Sequence, residues 1–115
     1  GGEYTKVPRR AFLLGYNKGI TSICYLNLES CPSEVKEDFR QKVNQLEGYE
    51  VLFRGKEGGE MYKLIAKKNN ETIRELIILI TGKDDCGLTL MKGKIKKEDI
   101  AQLVNEQTSK KDGRE

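Results

Sequence analysis

Hydrophobic and polar positions repeat with two different periods along this chain, and the change of period separates the predicted helices from the predicted strands. The first helical pattern follows Pro32, which suits a first helical turn because no N–H partner is needed there. Gly48 suits the end of that helix. One face of the helix, which we expect near residues 32–47, is formed by apolar residues three or four positions apart: Val35, Phe39, Val43 and Leu46.

From Tyr49 onwards the period changes to two, which is typical of strands. The predicted strands are residues 20–28, 49–54, 61–67, 72–81 and 86–95. Tyr49, Val51 and Phe53 are expected on one side of their strand. The connections between residues 49 and 95 are too short for crossovers, so this meander is predicted to be antiparallel. The run Leu76–Ile80 is apolar at every position, which favours a central strand.

A second helix is predicted near residues 97–107, with Ile100, Leu103 and Val104 on one face. Ahead of the sheet, residues 3–10 are expected to form an extended edge segment, and residues 11–14 a single helical turn. These elements predict a single α+β domain over residues 3–107, followed by a polar, disordered tail at 108–115. We expect a two-layer sandwich in which both helices cover one face of a mostly antiparallel sheet.

Composition limits the chemistry that this chain can perform. Of its 115 residues, 37% are hydrophobic and 34% charged, and there is no histidine. The commonest general base and metal ligand is therefore missing, and we predict no catalytic residue, no metal site and no cofactor. The net charge of +3 is spread among interleaved acids and bases, so no nucleic-acid partner is expected.

Three cysteines leave at least one thiol unpaired in a monomer. Cys24 lies in the middle of a predicted strand and is expected to act as a small buried hydrophobe. Cys31 lies at a helix N-terminus, where a thiolate is favoured, and is a candidate reactive thiol. Cys31 and Cys86 both flank loops, so they are the candidate pair for a disulfide.

The densest basic feature is the alternating series Lys92, Lys94 and Lys96, which is predicted to share one face of the last strand. On an edge strand, these lysines could contact an anionic ligand or lipid headgroups. Lysines on an edge also discourage association between sheets, which needs no ligand. The sequence leaves both interpretations open.

Several segments together resemble a known family. They are Ser33–Gly48 followed by Tyr49–Leu52, the strands Met61–Lys68 and Ile73–Leu79, and Leu90–Ile95 followed by the helix start Glu98–Ala101. This series resembles the family called domain of unknown function 4252, over about residues 5–107. The resemblance implies a small exported protein, often lipid-anchored, of Gram-negative anaerobes. It therefore implies a leader or lipid anchor upstream of Gly1 and a location in the periplasm or at the outer-membrane surface.

Three functions remain open on the sequence. The first is a non-enzymatic cell-envelope module that binds another envelope protein or has a structural role. The second is a binder of an anionic ligand or membrane surface through Lys92, Lys94 and Lys96. The third is a thiol-dependent enzyme that uses Cys31. The lack of any acid–base–nucleophile arrangement favours the first.

Overall fold

The computed structural model describes residues 3–5, 18–82 and 85–111. Its elements, in chain order, are β1 (Glu3–Thr5), β2 (Ile20–Asn27), α1 (Ser33–Asn44), β3 (Glu50–Glu57), β4 (Glu60–Asn69), β5 (Thr72–Thr81), β6 (Cys86–Ile95), a 3-10 turn (Lys97–Asp99) and α2 (Ile100–Lys111). The predicted helical turn at residues 11–14 lies outside the described residues. α2 extends past the predicted end at residue 107, so residues 108–111 are helical rather than part of the tail.

Within the described residues, six strands form one antiparallel sheet in the order β1-β2-β6-β5-β4-β3. The predicted meander from β3 to β6 is confirmed, and so is the central position of β5. The α+β class, the antiparallel sheet and its two helices are likewise confirmed. β2 pairs with β6, with Cys24 opposite Leu90, so the last strand of the chain lies inside the sheet.

The first face of the sheet, which we call the α1 face, is covered by α1. Phe39 and Val43 of this helix pack against a cluster whose fully buried members are Ile65, Ile77 and Leu79. Cross-strand pairing places Ile65 opposite Ile77 on this face. Phe39 and Val43, which are four residues apart on the helix, thus pack against residues that are two apart on β5.

The opposite face, which we call the α2 face, is covered by α2. Leu103 is 2% exposed and belongs to a separate cluster with Leu76, Ile78 and Met91. Leu76 and Ile78 alternate with Ile77 and therefore point away from the α1 face. Ile100 and Val104 pack against the same cluster from the helix side.

The expected two-layer arrangement is therefore wrong in one respect, because the two helices lie on opposite faces of the sheet. The physical reason is the unbroken apolar run of β5. Leu76 and Ile78 on one face, and Ile77 and Leu79 on the other, are all at most 5% exposed. Both faces of β5 need cover, and one helix on each face supplies it in three layers.

The start of β2 approaches β6 closely at two glycines. A Cβ atom added at Gly93, whose φ is +152°, would lie 2.1 Å from the Gly19 carbonyl oxygen. Here the backbone N–H of Lys94 donates to the Gly19 carbonyl at 2.9 Å. A side chain at Gly93 would break this contact, so the junction requires glycine.

Candidate functional surfaces

The three candidate lysines are all exposed, but their setting differs from the prediction. The strand that carries Lys92 and Lys94 is not an edge strand, since β6 lies between β2 and β5. Lys92 is opposite Glu75 of β5, and Lys96 follows the end of the strand. Glu75 thus lies beside Lys92, and its negative charge weakens the electrostatic attraction of this surface for anions.

A polar contact that the sequence did not reveal lies at the entry to β3. The Tyr49 hydroxyl donates a hydrogen bond to the Glu75 carboxylate, and the Lys67 ammonium lies 4.8 Å from the centroid of the Tyr49 ring. Burial, followed by this hydrogen bond and the charge of Glu75, raises the pKa of Tyr49 to about 12. The phenol is therefore protonated at neutral pH and cannot act there as a base.

The backbones of both candidate cysteines form hydrogen bonds with one residue, Leu28. The Cys31 N–H donates to the Leu28 carbonyl at 2.9 Å, and the Leu28 N–H donates to the Cys86 carbonyl at 2.8 Å. All three cysteines are described and carry thiols rather than disulfides. Burial raises the pKa of the Cys86 thiol, and neighbouring Cys31 adds to the rise, while Arg40 and Lys36 act in the opposite direction. The Cys86 thiolate is therefore disfavoured at neutral pH.

In the described part of the chain, no group of three or more cysteine or carboxylate side chains could hold a metal ion. Among these same residues, no helix has both the length and the apolar character needed to cross a membrane.

Exposed apolar side chains are concentrated at one side of the sheet. In the described chain, the large hydrophobic residues with the highest exposure all fall between positions 46 and 61: Leu46 (44%), Val51 (39%), Phe53 (59%) and Met61 (54%). β3 carries two of them and is the last strand of the sheet on this side. We call the outer side of β3, with its unpaired backbone groups, the β3 edge.

A β-bulge divides the apolar residues of β3 between the two faces. Val51 is opposite Ile65, but the register shifts so that Phe53 is opposite Leu64. Val51 therefore lies on the α1 face, and Phe53 on the α2 face, where Leu52 packs against the cluster. The expectation that Tyr49, Val51 and Phe53 share one side is wrong, because the bulge adds a residue between Val51 and Phe53.

Three basic side chains lie together on the α1 face of the β3–β4 hairpin. Arg54 is directly opposite Lys63, and Lys56 is two residues further along β3. We call Arg54, Lys56 and Lys63 the basic cluster. Among the described residues, no carboxylate forms an ion pair with any of its members.

The acids of the hairpin lie on the other face. Glu50 pairs with Lys68 at 3.1 Å there, and Glu57 is opposite Glu60 at the turn. The basic cluster is not apparent from local sequence spacing, because its members are dispersed along the chain. The available signal was the hairpin itself, since aligning residues 54 and 63 across the Gly58-Gly59 turn brings the two charges together.

Comparison with known proteins gives one positive result. A search of curated proteins and a search of solved structures each found no match. The family model described as domain of unknown function (DUF4252) matches residues 13–103, which is most of the chain and includes both surfaces described above. On this match, the chain belongs to the DUF4252 family.

Proposed function

We propose that this domain is a non-catalytic, protein-binding module of the cell envelope. The observation that carries the proposal is the position of the exposed apolar residues. Val51, Phe53 and Met61 lie around the β3 edge, whereas the buried apolar residues of β5 are covered by α1 on one face and α2 on the other. Apolar side chains gathered at one edge of a sheet are typical of a surface that another protein covers.

A non-catalytic role is supported by the protonation of the candidate groups. The sequence has no histidine. Tyr49 and Cys86 both have a raised pKa, so neither supplies a base or a nucleophile at neutral pH. A thiol-dependent enzyme would have to depend on Cys31 without a histidine to activate it, which makes this the weakest of the three candidates.

The envelope location rests on the family resemblance, which implies an exported and often lipid-anchored protein. Such an anchor would hold the domain at a membrane face, where its partner would be another envelope protein. Binding to an anionic ligand or membrane surface through Lys92, Lys94 and Lys96 remains the second candidate. Its support is the exposure of all three lysines, and its weakness is Glu75 beside Lys92.

Site-specific photo-crosslinking in living cells tests the first candidate. The complete gene product, expressed from its own start in a Gram-negative host, would carry a photoreactive amino acid at position 53 or, as control, at position 94. We expect discrete protein adducts from position 53 only, in the envelope fraction. Equal labelling from both positions, or a product confined to the cytoplasmic fraction, would contradict the proposal.

The second candidate has its own test. Binding to vesicles that contain phosphatidylglycerol would be measured for the wild type and for a variant with Lys92, Lys94 and Lys96 all changed to Gln. A loss of binding only in the variant would establish the lysine surface as the site. Equal binding of the two proteins would remove this candidate.

A further inference from the structure

We propose that the β3 edge binds an extended segment of a partner protein in which acidic and apolar residues alternate. The segment would add to the sheet as a seventh strand beside β3. Its acidic side chains would lie on the α1 face and its apolar side chains on the α2 face. The inference rests on the proposed protein-binding function and names the chemistry of the partner.

The backbone of β3 supplies the first argument. β3 covers residues Glu50–Glu57 and pairs with β4 alone among the described strands. Alternate residues of such a strand direct their N–H and C=O groups outward, where an extended segment can accept and donate hydrogen bonds.

The charge of the α1 face supplies the second argument. Arg54 and Lys56 are two residues apart, and Lys63 is directly opposite Arg54. Like charges in directly opposite positions destabilise a sheet. Acidic residues at alternate positions of an added strand would lie beside Arg54 and Lys56 and relieve this repulsion.

The α2 face of the same edge supplies the third argument. Phe53 is 59% exposed there, and its Cε2 atom would lie 2.8 Å from a Cβ atom added at Gly55. The Phe53 ring therefore lies along β3, over Gly55, and presents a flat apolar surface to solvent. A residue of the added strand on this face would contact the ring, so apolar residues are expected between the acidic ones.

Two other occupants fit these observations less well. A membrane surface would contact one face of the hairpin, whereas apolar side chains flank the edge on both faces: Val51 and Met61 on one, Phe53 on the other. A second copy of this chain, paired antiparallel through the regular part of β3, would bring Arg54 and Lys56 opposite the same residues of its partner. The positive charge of the basic cluster and the exposed apolar side chains on both faces thus favour a peptide of alternating acidic and apolar residues.

A fluorescent, end-blocked peptide of alternating valine and aspartate provides the probe, and its anisotropy measures binding to the folded domain in about 0.1 M salt. We expect the Arg54→Gln/Lys56→Gln variant to bind at least about tenfold more weakly than the wild type. The matched control is Lys94→Gln/Lys96→Gln, which removes the same charge from β6 and its flank and should change the affinity less than about twofold. A peptide with asparagine in place of aspartate should also bind weakly.

Amide hydrogen exchange separates strand addition from simple charge attraction. The peptide should slow exchange at outward amides within residues 53–57. Circular dichroism of each variant checks its fold.

Failure of the peptide to bind the wild type, equal affinity for the two double variants, or unchanged exchange in β3 would overturn the inference. So would binding of phosphatidylglycerol vesicles, but not of the peptide, through Arg54 and Lys56. If crosslinks from position 53 persist in that case, the protein-binding function stands and only the acidic partner is rejected.

Discussion

The hydroxyl of Tyr49, at the entry to β3, hydrogen-bonds the carboxylate of Glu75 in β5 and so reaches across the intervening strand β4. Lys67 of β4 lies against the same ring, and it is opposite Glu75 in the sheet. The contact fixes the point at which the chain leaves α1 and enters the last strand of the sheet. The β3 edge is therefore positioned by a polar contact as well as by backbone pairing.

The Tyr49→Phe variant should be less stable than the wild type by about 1–2 kcal/mol at neutral pH, because a partly buried carboxylate loses its donor. The folded-state pKa of Tyr49, about 12, lies above the ordinary tyrosine pKa of 10.0. The contribution is thus complete below about pH 10 and is lost as the pH rises from about 10 to about 12. Urea unfolding of both proteins across this range should show the stability difference shrinking. A difference that stays constant up to pH 12 would contradict the assignment.

Phe39→Ala and Leu103→Ala test the three-layer arrangement. Leu103 is 2% exposed, so its truncation should cost about 2–4 kcal/mol, and that of half-buried Phe39 somewhat less. Because the two residues pack on opposite faces, the double variant should equal the sum of the single variants within about 0.5 kcal/mol. Urea unfolding supplies the values, with exposed Leu46→Ala as a mild control. A strong coupling between the two positions would indicate a shared layer.

Gly93→Ala should destabilise the domain by at least about 2–3 kcal/mol, because the new methyl group would lie 2.1 Å from the Gly19 carbonyl oxygen. Gly58→Ala is the matched control. Gly58 also has a positive φ, but a Cβ atom there would meet nothing within 4 Å, so only backbone strain of about 1 kcal/mol is expected. Thermal unfolding compares the two. Equal losses would show that the close approach between β2 and β6 does not matter.

Oxidation should join Cys31 to Cys86 rather than either residue to Cys24, since Leu28 holds the backbones of the first two together. Each bond formed takes two electrons and two protons from the thiols and reduces one molecule of glutathione disulfide to two of glutathione. Thiol titration should then fall from three groups to one per chain. Cys24→Ser should still lose two thiols, whereas Cys31→Ser and Cys86→Ser should lose none. Loss of two thiols in Cys86→Ser would contradict the pairing.

The order of elements was predictable from residue spacing, because each helix or strand buries an apolar face of its own period. The position of the two helices was predicted wrongly, since both were expected on one face, although the run Leu76–Ile80 already indicated the need for cover on two faces. A run that is apolar on both faces of a strand requires cover on both faces, and this requirement determines where the helices lie.

The candidate surfaces depend on long-range pairing that local spacing does not encode. Lys92 was considered as part of a ligand surface on an edge strand, yet β2 pairs with β6 and encloses it. Phe53 was expected beside Val51, but the bulge at Leu52 turns Phe53 to the other face. One inserted residue in the ladder was enough to reverse the expected orientation.

The two outer strands of the sheet differ in length, and this has a consequence for assembly. β1 has three residues, whereas β3 has eight. Among the described strands, β3 therefore offers more unpaired hydrogen-bonding groups to a recruited chain than β1 does. A segment that pairs along β3 covers that margin, so binding there saturates at one segment per domain.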